Sequence, residues 1–214
     1  MKKIATLITA LSLTAFGHTA LGFGLPEIPG VPGAGAAKSV EAGPLVAQLN
    51  EALANLVRSD SLIGQALKTG VDSVAQEAIA KKLDTGVTVD TEIFIAVGAN
   101  HDKTSKDIKD KKGNLDAESK ALLAQALPLY GKALARSAGL AAQLTAAAQS
   151  ISANPMSVVG GAFSAPDLIG VFTSSPGLLK NIVTTGYDLS TFAKVELKDD
   201  KGAQDILATM GSSK

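Results

Sequence analysis

A long helical pattern of leucine and alanine over residues 114–152 is the strongest restriction on the fold. Asn114 is the predicted N-cap, and Asp116 and Glu118 follow in the first turn, where acidic side chains stabilise a helix. Pro128 lies inside the pattern and predicts a bend one turn earlier. The leucines of the pattern are Leu122, Leu123, Leu127, Leu134, Leu140 and Leu144. An apolar face of this length requires other helices to cover it.

Helical spacing continues on both sides of this segment. Residues 44–58 predict one helix, and a second is expected from Ser59 or Ser61 to about Leu83. After the break at "SANP", a short helix is expected through Phe172, and Ser175–Pro176 opens a further one. The chain is therefore predicted to be all-α, a single-domain bundle of four or five main helices.

Residues 87–97 are ambiguous, because their apolar side chains fit two periods. The alternation of Val87, Val89, Ile93, Ile95 and Val97 is typical of a half-buried strand. A lone strand would leave its backbone groups without partners, so a helix from about Thr88 to Lys111 is preferred, with Asp90 or Thr91 as its cap. The stripe of that helix is Ile93, Val97, His101, Thr104 and Ile108.

The first 22 residues have the three parts of a secretory signal peptide. Lys2 and Lys3 precede an apolar core of about 13 residues, which is short of the roughly 20 that a spanning helix needs. Ala20 and Gly22 fit the small residues before a cleavage site, which we place after Gly22. The sequence thus predicts a periplasmic or secreted protein.

The remaining chain divides by composition into three parts. Residues 23–43 are rich in proline and glycine, and Pro26, Pro29 and Pro32 have the three-residue period of polyproline II. This extended segment is interpreted as a spacer, in preference to a recognition peptide or an apolar strap. Residues 44–196 form the predicted bundle. The polar tail, 197–214, is expected to fray unless its few apolar residues dock, which are Ile206, Leu207 and Met210.

Composition disfavours several function classes. The chain has no cysteine, so it forms no disulfide and takes no lipoprotein anchor. Without residues 1–22 the chain carries 18 basic and 20 acidic residues, so its net charge is close to neutral. Such a chain lacks the excess of positive charge that binding to nucleic acid or to an anionic membrane favours. Tryptophan is absent and aromatic residues are few, so stacking sites for sugars or single-stranded nucleic acid are not expected.

No catalytic or metal-binding pattern stands out. His101 is the one histidine after the predicted cleavage site, and it falls in a lysine-rich run that we expect to be solvated. The run "DIKDKKGNLDAE" fails as a calcium loop because Lys109 and Lys111 occupy ligand positions. The sequence predicts a protein that is not an enzyme and that uses no metal and no cofactor.

The stretch from Pro155 to Phe172 belongs to a span of low charge. Between Arg136 and Lys180, Asp167 is the one charged residue, and prolines and glycines interrupt every window long enough to cross a membrane. The preferred interpretation is a buried break between helices. The same stretch is also the candidate apolar contact surface, made of Val158, Val159, Phe163, Leu168, Ile169 and Phe172.

Together these patterns predict an exported, non-enzymatic binding or structural component of the cell envelope. Its expected partner is an envelope protein or an apolar small molecule, and nucleic acid is not expected. The alternative is a membrane-active, pore-forming-like helical protein with residues 155–172 as an apolar tongue, which is the less favoured of the two.

Overall fold

The computed structural model describes residues 39–86, 90–111, 113–159 and 163–211, with the backbone alone at Val159 and Gly211. The described part is all-α, as predicted. The predicted signal peptide and residues 23–38 lie outside these ranges. The elements are β1 (Val40–Glu41), α1 (Ala42–Leu67), α2 (Ser73–Asp84), α3 (Thr91–Asp110), α4 (Ala117–Ala153), a 3-10 turn (Pro155–Ser157), β2 (Val158–Val159), α5 (Ala165–Glu196) and α6 (Lys201–Gly211).

Helices α1 and α4 are antiparallel and form the centre of the bundle. Arg136 pairs with Glu51, and Lys68 pairs with Asp116, so residue numbers rise along one helix as they fall along the other. Helix α5 covers α4, while α2 and α3 pack against α1. The short α6 packs against α4 and α5, with Ala203, Leu207 and Met210 buried. The C-terminal segment therefore packs against the bundle, and the tail does not fray over the described part of α6.

Helix α1 is longer than predicted, because the chain does not break at Ser59 or Ser61. Both serines are buried inside the helix, and the Ser59 hydroxyl donates to the carbonyl of Ala126 on α4. The break comes at Lys68 and Gly70, which have φ angles of 57° and 70°. Such angles end a helix because the right-handed backbone cannot continue through them. Asp72 then caps α2 by accepting from two backbone N–H groups.

Residues from Thr91 onward resolve the ambiguity of 87–97 in favour of a helix, while Val87 and Val89 lie outside the described residues. Asp90 caps α3 by accepting from the N–H groups of Glu92 and Ile93. All five residues of the predicted stripe are buried, from Ile93 to Ile108. For α4 the predicted N-cap was wrong: Asp116 is the cap, and Asn114 has a φ of 66° in the preceding loop.

Helix α5 is continuous, whereas the sequence predicted a break before Pro176. Proline removes one N–H donor from the helix and crowds the carbonyl of Phe172. Side chains hold the turn together nevertheless, since Ser175 donates to the carbonyl of Val171 and Ser174 to that of Gly170. The buried face also runs through the proline, because Phe172 and Leu179 lie in one core. Packing on both sides therefore outweighs the local signal.

The break between α4 and α5 is tied to the start of the bundle. Val40 pairs with Val158, and Glu41 with Val159, in a two-residue parallel bridge. Asn154 precedes this bridge and accepts a hydrogen bond from the backbone N–H of Met156. Among the described residues, none of the helices combines the length and the apolarity that crossing a membrane requires.

Candidate functional site

The predicted contact residues divide between the core and its edge. Leu168 and Phe172 have no exposed surface and belong to the hydrophobic core. Val158, Phe163 and Ile169 are partly buried and pack against that core. Of Val159 the structure describes the backbone, which pairs with Glu41. This segment is thus largely part of the packing between α4 and α5.

An open groove lies beside this segment, between the C-terminal end of α4 and the N-terminal half of α5. Its volume is about 610 Å³. Phe172 and Pro176 contribute from α5, and Ala148 and Ala153 from α4. The complete lining is Thr145, Ala148, Gln149, Ser152, Ala153, Phe172, Thr173 and Pro176. None of these eight side chains carries a charge.

The residue types explain why a groove forms at this place. Alanine and serine are the smallest side chains that a helix commonly uses, so the α4 face at Ala148 and Ser152 leaves space that leucine would fill. On α5, Pro176 has a short, rigid ring and lacks the N–H of an ordinary helical residue. The groove therefore has an apolar floor at Phe172. Its hydroxyl and amide groups come from Thr145, Gln149, Ser152 and Thr173.

A second candidate is a polar pair sealed inside the bundle. His101 on α3 and Asp60 on α1 have no exposed surface, and His101 Nδ1 lies 3.0 Å from Asp60 Oδ2. The other ring nitrogen, His101 Nε2, has no hydrogen-bond partner. Burial raises the pKa of the Asp60 carboxyl above its ordinary value, and the neighbouring His101 acts in the opposite direction.

Tyr130 on α4 extends this polar cluster. Its ring centroid is 6.0 Å from that of His101, and its hydroxyl donates to the carbonyl of Ile182 over 2.8 Å. Burial is the main reason why the pKa of Tyr130 lies well above 10, and the negative charge of Asp60 adds to it. Thr185, next to this ring on α5, donates to the Ser105 hydroxyl of α3. Side chains of four helices thus meet at one level of the bundle.

The expectation that His101 is solvated was wrong, and the sequence contained a signal against it. His101 falls on the same helix stripe as Val97 and Thr104, so its own periodicity placed it inside. Asp60 was missed for a similar reason, because "RSDS" reads as a polar interruption. It is nevertheless spaced like the apolar positions Leu53, Leu56, Val57, Ile63 and Leu67 of the same helix.

Neither candidate has the constellation of a known catalytic centre. The groove lining contains no ionisable side chain, and the polar cluster is closed to solvent at Asp60 and His101. Asp167 is exposed in the first turn of α5, where Ser164 caps the helix. In the described ranges, no three His, Asp or Glu residues are grouped so that they would hold a metal ion.

Comparison with protein families, with curated proteins and with solved structures found no match for this chain. Functional inference therefore depends on the groove and the polar cluster themselves.

Proposed function

We propose that this protein is an exported, non-enzymatic binding protein of the cell envelope, which takes an uncharged and largely apolar small molecule into the α4–α5 groove. The observation that carries this proposal is the groove itself, about 610 Å³ in volume and lined by eight uncharged side chains. Its volume falls in the usual range of small-molecule pockets, roughly 300–1,000 Å³.

Charge complementarity defines the ligand class. A charged ligand would lose water of hydration in the groove and find no opposite charge there. An apolar body fits against Ala153 and Pro176, whose apolar surface it removes from water, and the buried Phe172 and Ala148 lie beneath it. Gln149 and Ser152 offer hydrogen bonds to a hydroxyl, amide or carbonyl group on such a ligand.

A binding role is favoured over catalysis because the groove offers no group that would transfer a proton. General acid–base catalysis needs an ionisable side chain within hydrogen-bond reach of the substrate. The lining of threonine, serine, glutamine, alanine, phenylalanine and proline supplies none. Export and residence in the envelope are proposed from the N-terminal pattern of Lys2 and Lys3, an apolar core and small residues.

The test uses protein recovered from the envelope fraction of its producing cells. Native mass spectrometry and solvent extraction are expected to find a co-purifying neutral, apolar compound. Stripped protein is expected to bind an uncharged dye such as N-phenyl-1-naphthylamine and to exclude its anionic sulfonate analogue. Absence of a bound compound, together with no saturable binding of the neutral dye, would overturn the proposal.

A pair of variants locates the binding. Ser152 is exposed and lines the groove, so Ser152→Phe fills it without entering the core and is expected to weaken dye binding at least tenfold. Gln143 is exposed on another face of α4, and Gln143→Phe is the matched control, which should bind like the unchanged protein. Equal binding by both variants would exclude the groove as the site.

The same protein samples also distinguish small-molecule binding from two other functions, binding of a partner protein and membrane activity. A partner protein as the true occupant predicts a specific cross-link from a photoreactive group at residue 152 and no dye competition. A membrane-active function, with residues 155–172 as the tongue, predicts dye release from liposomes. In that case Leu168 and Phe172 must leave the core in which they are now buried. Either result would contradict small-molecule binding as the function.

A further inference from the structure

The buried Asp60–His101 pair joins two helices that few other polar contacts connect. Both side chains are fully withdrawn from solvent, and Nδ1 of the ring lies 3.0 and 3.3 Å from the two carboxylate oxygens. The pair links α1 to α3 at a separation of 41 residues. A buried ionisable pair is costly to form, so its state of protonation affects the stability of the packing around it.

Within the described ranges, no other basic side chain pairs with Asp60. Arg58, two residues before Asp60, is held on another face by Glu77 and Asp84. The Lys103 ammonium, two residues after His101, bonds to Asp107 and to the carbonyl of Thr69. Among the residues that the structure describes, His101 is therefore the group that can offer Asp60 an opposite charge.

The groups that face the pair are few and come from each neighbouring helix. From α4, the Tyr130 ring stands 6.0 Å from the imidazole. From α5, Asp188 acts electrostatically on Tyr130, and the neutral Thr185 bonds to Ser105 of α3. No described cation other than His101 acts on Asp60. Asp188 itself is partly exposed and pairs with Lys109. An added negative charge at Asp60 would thus lie near the Tyr130 phenol, in a site without water-accessible surface.

We propose that Asp60 and His101 form a proton-linked joint between α1 and α3, which holds the two helices more firmly when the pair retains a proton and weakens as the pH rises. The joint is independent of the groove, which lies on other parts of α4 and α5. It makes the packing of α3 on α1, and thereby the stability of the bundle, responsive to the pH around the exported protein.

The sign follows from linkage. Burial raises the pKa of Asp60 above 3.8 in the folded protein, whereas in the unfolded chain the carboxyl titrates near its ordinary value. Above that value the unfolded chain releases a proton that the folded protein keeps. The stability that the Asp60 proton contributes is therefore present below the unfolded value and is lost as the pH rises through the folded value. Because the two sites are coupled, the retained proton belongs to the pair.

The test compares the full chain with its Asp60→Asn variant, in which a neutral amide of the same shape still accepts from the ring. Urea unfolding is measured from about pH 2 to about pH 8, which covers the ordinary carboxyl range on both sides. The unfolding equilibrium constant of the unchanged protein, relative to the variant, is expected to increase by up to about tenfold per pH unit in the titrating range. A ratio that is constant or falls with pH would overturn the proposal.

Asp84→Asn is the matched control. Its carboxyl is bonded to Arg58, which holds the pKa of Asp84 below its usual range. The dependence should therefore have the opposite sign, with the contribution of Asp84 lost as the pH falls below about 4. The same ratio for this variant is expected to rise toward acid. Identical pH profiles for the two variants would show that position 60 has no special role.

One measurement does not depend on the folding of any variant. In the unchanged protein, carbon-13 NMR follows the carboxyl of Asp60, and nitrogen-15 NMR follows both ring nitrogens of His101. The carboxyl resonance is expected to titrate above its ordinary value, and the resonance of Nδ1, which lies 3.0 Å from Asp60 Oδ2, to report that same carboxyl step. A carboxyl that titrates at about 4, independently of the ring, would refute the joint.

Discussion

Glu196 at the end of α5 accepts a hydrogen bond of 2.9 Å from the backbone N–H of Leu115, which lies 81 residues earlier in the chain. Its second oxygen accepts from the N–H of Asn114 over the same distance. Gly113 and Asn114 have φ angles of 50° and 66°, which turn successive N–H groups toward one anion. One buried carboxylate thereby fixes the α3–α4 connection against α5.

Removal of this carboxylate is expected to destabilise the fold. In Glu196→Ala, two N–H groups lose their acceptor, one of them buried, and we expect a loss of about 2–4 kcal/mol in the free energy of unfolding. Glu196→Gln retains one acceptor oxygen and should lose roughly half as much. Urea unfolding measures both. The exposed Asp199→Ala is the control, expected within about 0.5 kcal/mol of the unchanged protein; a loss no larger for Glu196→Ala would contradict the clamp.

The fold class was predictable because long helices repeat their signal many times. The five-residue stripe from Ile93 to Ile108 identified α3 and its buried face from the sequence alone. Helix boundaries that depend on one residue were predicted less well. Ser59 and Pro176 resemble helix starts, but side-chain hydrogen bonds to backbone carbonyls and burial on both sides keep α1 and α5 continuous through them. Such tertiary support is not visible in local sequence.

The candidate sites were only partly predictable. The groove lies within the low-charge span of residues 137–179, yet it is lined mainly by Ala148, Ser152 and other α4 residues beyond the predicted surface. Which small residues face a gap depends on the pairing of α4 with α5, which one sequence does not specify. His101 and Asp60 are 41 residues apart, so their contact required the fold.

Replacement of the buried Asn50 by an apolar residue is expected to stabilise the protein. It is fully buried on α1, and neither its amide nitrogen nor its carbonyl oxygen has a partner. Asn50→Leu replaces both with apolar atoms of similar volume, and we expect a gain of about 1–3 kcal/mol in the free energy of unfolding. The half-buried Asn55 bonds to the carbonyl of Glu51, so Asn55→Leu should give no such gain. A destabilised Asn50→Leu protein would mean that a buried water satisfies Asn50.

Tyr130 couples one buried hydrogen bond to alkaline pH. Its hydroxyl donates to the Ile182 carbonyl, so Tyr130→Phe should lose about 1 kcal/mol of stability at pH 7. The pKa of Tyr130 is raised in the folded protein, mainly by burial. Its contribution is therefore present below about pH 10 and is lost at higher pH, where the unfolded tyrosine ionises first. Thermal unfolding of both proteins from pH 7 to pH 11 should show their difference shrinking; a constant difference would contradict this.

Gly64 is required because the chain folds back on the end of α1. A Cβ built on Gly64 would lie 2.0 Å from Cγ2 of Val71, which follows the left-handed Lys68 and Gly70. Gly64→Ala should therefore destabilise by about 1–3 kcal/mol through overpacking, despite the better helix propensity of alanine. At Gly98 on α3 a Cβ meets nothing within 4 Å, and Gly98→Ala should stabilise by about 0.5–1 kcal/mol. Val71→Ala in the Gly64→Ala background removes the colliding methyl and is expected to restore part of the loss. Urea unfolding of the three variants measures these changes in stability. Equal effects of Gly64→Ala and Gly98→Ala would mean that helix propensity, and not a collision with Val71, determines the result.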